Sequence, residues 1–88
     1  MIEREATIVN QEGLHARPAA RIVRLANSFA AEIELAKDGV AVNGKSIMGV
    51  MMLAAEHGSS ILIRANGADA EQAVEALAEL VASGFGEA

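Results

Sequence analysis

The chain has 88 residues, a net charge of −5, one proline and no cysteine. That length fits one domain, residues 1–88, with a modest core that buries roughly 60–65% of the unfolded surface. The acidic balance argues against general nucleic-acid binding, the absence of cysteine excludes disulfide and thiolate chemistry, and no apolar run approaches the roughly 20 residues of a bilayer span.

Aromatic residues supply only 2% of the chain against 52% hydrophobic residues, so alanine and the aliphatic residues must build the core. Small side chains favour close helix-on-sheet packing over a large ligand cavity. Met1 to Val9 is charged at once and lacks the basic-then-apolar order of a signal peptide, so a cytoplasmic protein without membrane insertion is expected.

Ile2 to Val9 reads as a strand, with Ile2, Ala6 and Ile8 on one face and Glu3, Glu5 and Thr7 on the other. Asn10 to Gly13 is a loop. The period then becomes helical. The helix starts just after His15, with Pro18 in its first turn, where a missing N–H costs nothing. Ala19, Ile22, Val23, Ala26 and Phe29 form its apolar stripe, and Arg17, Arg21, Arg24 and Ser28 its polar one. Glu32 to Lys37 alternates with Ile33 and Leu35 inward, and Asp38-Gly39 predicts a hairpin into a short strand at Val40 and Val42.

After a turn at Asn43 to Lys45, Ser46 is a good N-cap for a brief apolar helix ending near Leu53. Ile61 to Ala65 is a further strand. Asp69 with Gln72 predicts a capping box for a last helix. Its buried face is Ala73, Val74, Leu77, Leu80 and Val81, and Gly84 ends it. The order β-α-β-β-α-β-α predicts an α+β fold: a two-layer open-faced sandwich. Its four-stranded, mainly antiparallel sheet carries three helices on one face and leaves the other solvated.

No acidic residue lies between Glu12 and Glu32, yet that window holds Arg17, Arg21 and Arg24 on one helical face. Arginine at a helix start opposes the helix dipole, which points to function; an ordinary solvated face is the plain alternative. His15 stands just before that helix, where unpaired amides welcome an anion. A neutral imidazole is a nucleophile near pH 7, and the planar fork of arginine suits phosphate oxygens. Histidine, helix start and Arg17 together make a phosphohistidine site reasonable, against an exposed or capping histidine. His57 reads as a loop residue, and no metal-ligand spacing is present.

The string GLHARPAA, Gly13 to Ala20, resembles the active-site signature of the HPr family, histidine-containing phosphocarriers of the bacterial phosphotransferase system. KSIMGVMML, Lys45 to Leu53, resembles that family's second signature, around its regulatory serine, and the likeness runs through essentially the whole chain. The resemblance implies that His15 accepts a phosphoryl group on Nδ1 from enzyme I and passes it to enzyme IIA. It implies that Arg17 contacts the phosphate. It further implies one docking patch built from Ala16, Ala20, Arg21 and Arg24 of the first helix with Ile47, Met48, Met51 and Met52 of the short helix. For Ile47 and Val50, core packing is an equal alternative.

Ser46 would be the target of HPr kinase/phosphorylase where the organism has that enzyme. A monomer without cofactor or metal is expected. An autonomous enzyme is not expected, because no second catalytic group or nucleotide-binding glycine loop accompanies His15. A nitrogen-related carrier shares the same motif, and a purely regulatory binding module would be expected to lack the acceptor histidine.

Overall fold

Period-2 and period-3.6 patterns both become regular structure in the computed structural model, which describes residues 1–87; Ala88, the end of the expected domain, lies outside them. The elements are β1 (Ile2–Thr7), α1 (Ala16–Ala26), β2 (Glu32–Lys37), β3 (Val40–Asn43), α2 (Ile47–Met52), β4 (Ser60–Asn66) and α3 (Ala70–Ala82). A 3-10 turn follows at Gly84–Gly86. The sheet order is β1-β4-β2-β3, and every neighbouring pair is antiparallel. The expected α+β open-faced sandwich is therefore the observed one.

Register explains which side chains form the core. Ile33 pairs with Ala65 and Leu35 with Ile63, so these residues share the face that the helices cover, and all are buried. The intervening positions place Glu3, Arg64 and Glu34 in one row across three strands. Arg64 donates to Glu34 at 2.8 Å and to Glu3 at 3.1 Å on the solvated face. Opposite charges on adjacent strands are the favourable arrangement there. At the Asp38-Gly39 turn both residues have positive φ, 52° and 82°, as a two-residue hairpin loop of matching twist requires.

Four expectations need correction. β1 stops at Thr7 rather than Val9. Ile8 is fully buried, and its backbone pairs with the loop before β4, donating to Ser59 O at 2.8 Å and accepting from Gly58 N at 2.7 Å. The first helix ends at Ala26, because side chains of Asn27 and Ser28 take the carbonyls of Val23 and Leu25. Phe29 thus packs on the core from a turn, not from the helical stripe.

The capping box at Asp69 does not form. That carboxylate reaches away from its own helix and accepts from the backbone N–H groups of Ala30 and Ala31, both at 2.8 Å. Two charge-assisted bonds to another loop outcompete a local cap.

Gly84, at φ +69°, does end the last helix. Leu80 in that helix is only partly buried. Beyond it Phe85, which belongs to no periodic pattern, has positive φ and is fully buried.

The bond from Ala30 is the largest influence on the Asp69 carboxyl; burial opposes it, the bond from Ala31 adds to it, and together they hold the group below its ordinary value of 3.8. In that window the folded protein binds fewer protons than the unfolded chain, so stability rises with pH. The contribution is complete above 3.8 and is lost as pH falls through the lowered folded value. Asp69→Asn is expected to be less stable than the parent in urea at neutral pH, with the difference shrinking on acidification. A pH-independent difference contradicts this role.

Candidate phosphoryl-acceptor site

Placement of His15 begins two residues earlier. Gly13 has φ +69°, and a Cβ there would stand 2.5 Å from Ala55 O, so only glycine fits. The close approach lets Leu14 donate its N–H to that same carbonyl at 2.9 Å while its side chain enters the core. His15 follows in extended conformation as the N-cap of α1, and its carbonyl accepts from Ala19 N at 3.0 Å. Pro18 is buried at the third helical position. The amides of Ala16 and Arg17 have no intrahelical partner, and no acidic residue lies in the first turn.

The imidazole does not cap the helix. Its Nε2 lies 3.2 Å from Glu87 Oε2 and 3.7 Å from Glu12 Oε1. An ionised carboxylate only accepts, so this contact places the ring proton on Nε2. Nδ1 then carries the lone pair, with no hydrogen-bond partner among the described residues. The side chain is 35% exposed, in an open depression with Gln11, Glu12, Arg17 and Gly86 around it.

Glu87 is itself held. Asn10, buried, donates Nδ2 to Gly13 O at 2.8 Å and to Glu87 Oε1 at 3.1 Å. Both partners are acceptors, which fixes the orientation of the amide and leaves Asn10 Oδ1 without a partner in the described structure. Arg21 donates Nη1 to Phe85 O at 2.7 Å, tying the terminal turn to α1. Among the described residues no group of three histidine, cysteine or carboxylate side chains converges as a metal site would.

At the second motif Ser46 caps α2. Its Oγ accepts from Gly49 N at 3.1 Å, and Gly49 keeps the approach open, since a Cβ there would meet Asn43 O at 3.2 Å.

Residues 2–83 match the family model described as the PTS HPr component phosphorylation site. The chain belongs to the HPr family, the phosphocarrier proteins of the phosphotransferase system. The phosphocarrier protein HPr of Cupriavidus necator is 45% identical over 99% of this chain and 98% of its own. HPr-C-His from Thermoanaerobacter tengcongensis superposes with a TM-score of 0.95 at 45% identity, covering 100% and 99% of the two chains. A structure described as an HPr dimer from that organism gives 0.79 at 46% identity, covering 99% and 100%.

The residues expected around His15 and in the docking patch separate by environment. Ala16, Arg17, Arg21 and Arg24 are exposed and Ala20 is partly buried on α1. α2 packs beside α1. In α2 only Val50 is buried; Ile47, Met48, Met51 and Met52 are all exposed. Val50 thus belongs to the core and Ile47 to the surface. Arg21 is exposed but committed to Phe85, whereas Arg17 and Arg24 make no side-chain bond among the described residues.

Sequence reasoning missed Glu87 and Asn10. Neither follows an amphipathic period. The available signal was Gly84-Phe85-Gly86, two glycines around a large apolar residue, which can bury its centre and turn the chain back.

Glu87→Gln tests the contact at Nε2. An amide can donate as well as accept, so its preference for Nε2–H is weaker. Nitrogen-15 NMR of the neutral imidazole is expected to show mostly the Nε2–H tautomer in the parent and a larger Nδ1–H share in the variant. Identical tautomer ratios would show that Glu87 does not set them.

Proposed function

We propose that this chain takes a phosphoryl group onto His15 Nδ1 from phosphorylated enzyme I and delivers it to a histidine of enzyme IIA in sugar uptake. The observation that carries this reading is the asymmetry of the imidazole: Nε2 faces Glu87 while Nδ1 is unengaged at the start of α1. In the forward step the Nδ1 lone pair attacks phosphorus and the P–N bond to enzyme I breaks. Glu87 keeps the proton on Nε2 as the ring gains charge. The incoming oxygens meet the free amides of Ala16 and Arg17, preorganised donors at the helix start, and the unengaged guanidinium of Arg17.

The second step is the same chemistry in reverse. A histidine of enzyme IIA attacks, and the P–N bond to His15 breaks. A carrier must hold the group without trapping it. An open site with one helix start and one free arginine meets that condition, and Glu87 and Glu12 add negative charge on the other side of the ring.

Docking fits the same surface. Ile47, Met48, Met51 and Met52 offer an apolar centre, with Ala16 and Ala20 as small neighbours. Arg17, Arg21 and Arg24 form its cationic rim against acidic partners, an arrangement that mainly accelerates encounter. Ser46 is the regulatory position in this reading. A phosphate there, added by HPr kinase/phosphorylase, sits at the start of α2, where it is electrostatically tolerated, and places negative charge beside the patch. We take the working form to be a cytoplasmic monomer comprising residues 1–88, because the whole proposed surface belongs to one chain. It acts as a reactant in the relay, not as an enzyme.

Incubation with phosphoenolpyruvate and enzyme I is expected to add one acid-labile phosphate by intact mass, absent in His15→Ala. An acid-stable adduct, or labelling that persists in His15→Ala, rejects the proposal. Arg24→Glu is expected to slow transfer from enzyme I several-fold to about tenfold at low ionic strength and to flatten its salt dependence. Equal rates at low salt would remove Arg24 from the rim.

A further inference from the structure

We propose that α2 carries an oxidation switch: Met48, Met51 and Met52 are sulfoxidised by peroxide, and their sulfoxides weaken docking. The inference rests on the docking reading above. The chain has four methionines and no cysteine, so these thioethers are its only oxidisable sulfur. Three of the four lie in the six residues of α2. Met48 is 75% exposed, Met52 72% and Met51 43%, although buried methionine is the ordinary case. Only Val50 of this helix is buried, so oxidation of the exposed methionines leaves the buried residue of α2 unaltered.

The chemistry is an oxygen-atom transfer. The thioether sulfur attacks one oxygen of hydrogen peroxide, an S–O bond forms as the O–O bond breaks, and the other oxygen leaves as water. Sulfur loses two electrons and peroxide gains them. The product is a polar, chiral sulfoxide that methionine sulfoxide reductases return to the thioether. Each sulfoxide puts a strong acceptor where a partner would bury apolar surface. The capping bond from Gly49 N to Ser46 Oγ and the buried Val50 are untouched, so the fold should persist while the surface changes. A leucine at these positions would be apolar but insensitive to peroxide, whereas methionine makes the same surface both adaptable and oxidisable.

The test treats the intact protein with limiting hydrogen peroxide, maps sulfoxides by peptide mass, and measures kcat/KM for phosphoryl uptake from enzyme I. Met48 and Met52 are expected to oxidise ahead of Met51, with Met1, 77% exposed, as an internal reference. Uptake should fall about tenfold or more once the three sites are modified, the effect of losing one well-buried apolar contact. Methionine sulfoxide reductases A and B should restore it.

The triple variant Met48→Leu, Met51→Leu, Met52→Leu, whatever its starting rate, should show no further change on treatment. Full-rate uptake by the sulfoxidised protein overturns the switch, as does an equal peroxide loss in the triple variant. Oxidation confined to Met1 overturns it too. Failure of untreated protein to take up phosphate instead overturns the carrier reading, and this inference with it.

Discussion

The bond from Leu14 N–H to Ala55 O, made possible by the missing side chain at Gly13, is the constraint on which the site depends. It ties the loop after β1 to the segment between α2 and β4. With Leu14 buried beside it, the next residue has one place to go: the cap of α1. His15 is therefore positioned by backbone and core, not by bonds to its own ring. A side chain at Gly13 would push the two segments apart and move the histidine relative to both α1 and α2. His15 and the segment that follows the short helix are in this sense tied together.

Charge is then distributed around one small ring. Carboxylates of Glu87 and Glu12 stand on the Nε2 side, while α1 begins with unpaired amides and Arg17. Imidazole offers two nitrogens, and a carboxylate at one decides which keeps the proton. The terminal turn that supplies Glu87 is fixed by a buried phenylalanine, by Arg21 and by Asn10. Arg21 therefore has a structural task in addition to its place on the arginine face. An acidic chain concentrates its cationic surface on α1, so long-range attraction for acidic surfaces is local, not global.

Much of this was legible in the sequence because it rests on local rules. Asp38-Gly39 dictated its hairpin, Ser46 its cap, Gly84 the end of α3, and alternation at Ile33, Leu35, Ile61 and Ile63 the core face. The GLHARP string located His15 at a helix start. What escaped reading was non-local. Asp69 looked like a cap by spacing, yet its best donors lie on the loop before β2, far away in sequence. Glu87 reaches His15, and Asn10 reaches Glu87, because Phe85 buries the turn after α3. Ile47 and Val50, equivalent by composition, were separated by the packing of α2 alone.

With Nε2 of His15 engaged by Glu87, Nδ1 is the atom we propose to react. Nitrogen-15 and phosphorus-31 NMR of the protein phosphorylated through enzyme I reads out which nitrogen carries the phosphorus. Phosphorus coupled to Nδ1, with the proton remaining on Nε2, is the expected result. Phosphorus on Nε2 of the same ring would contradict it.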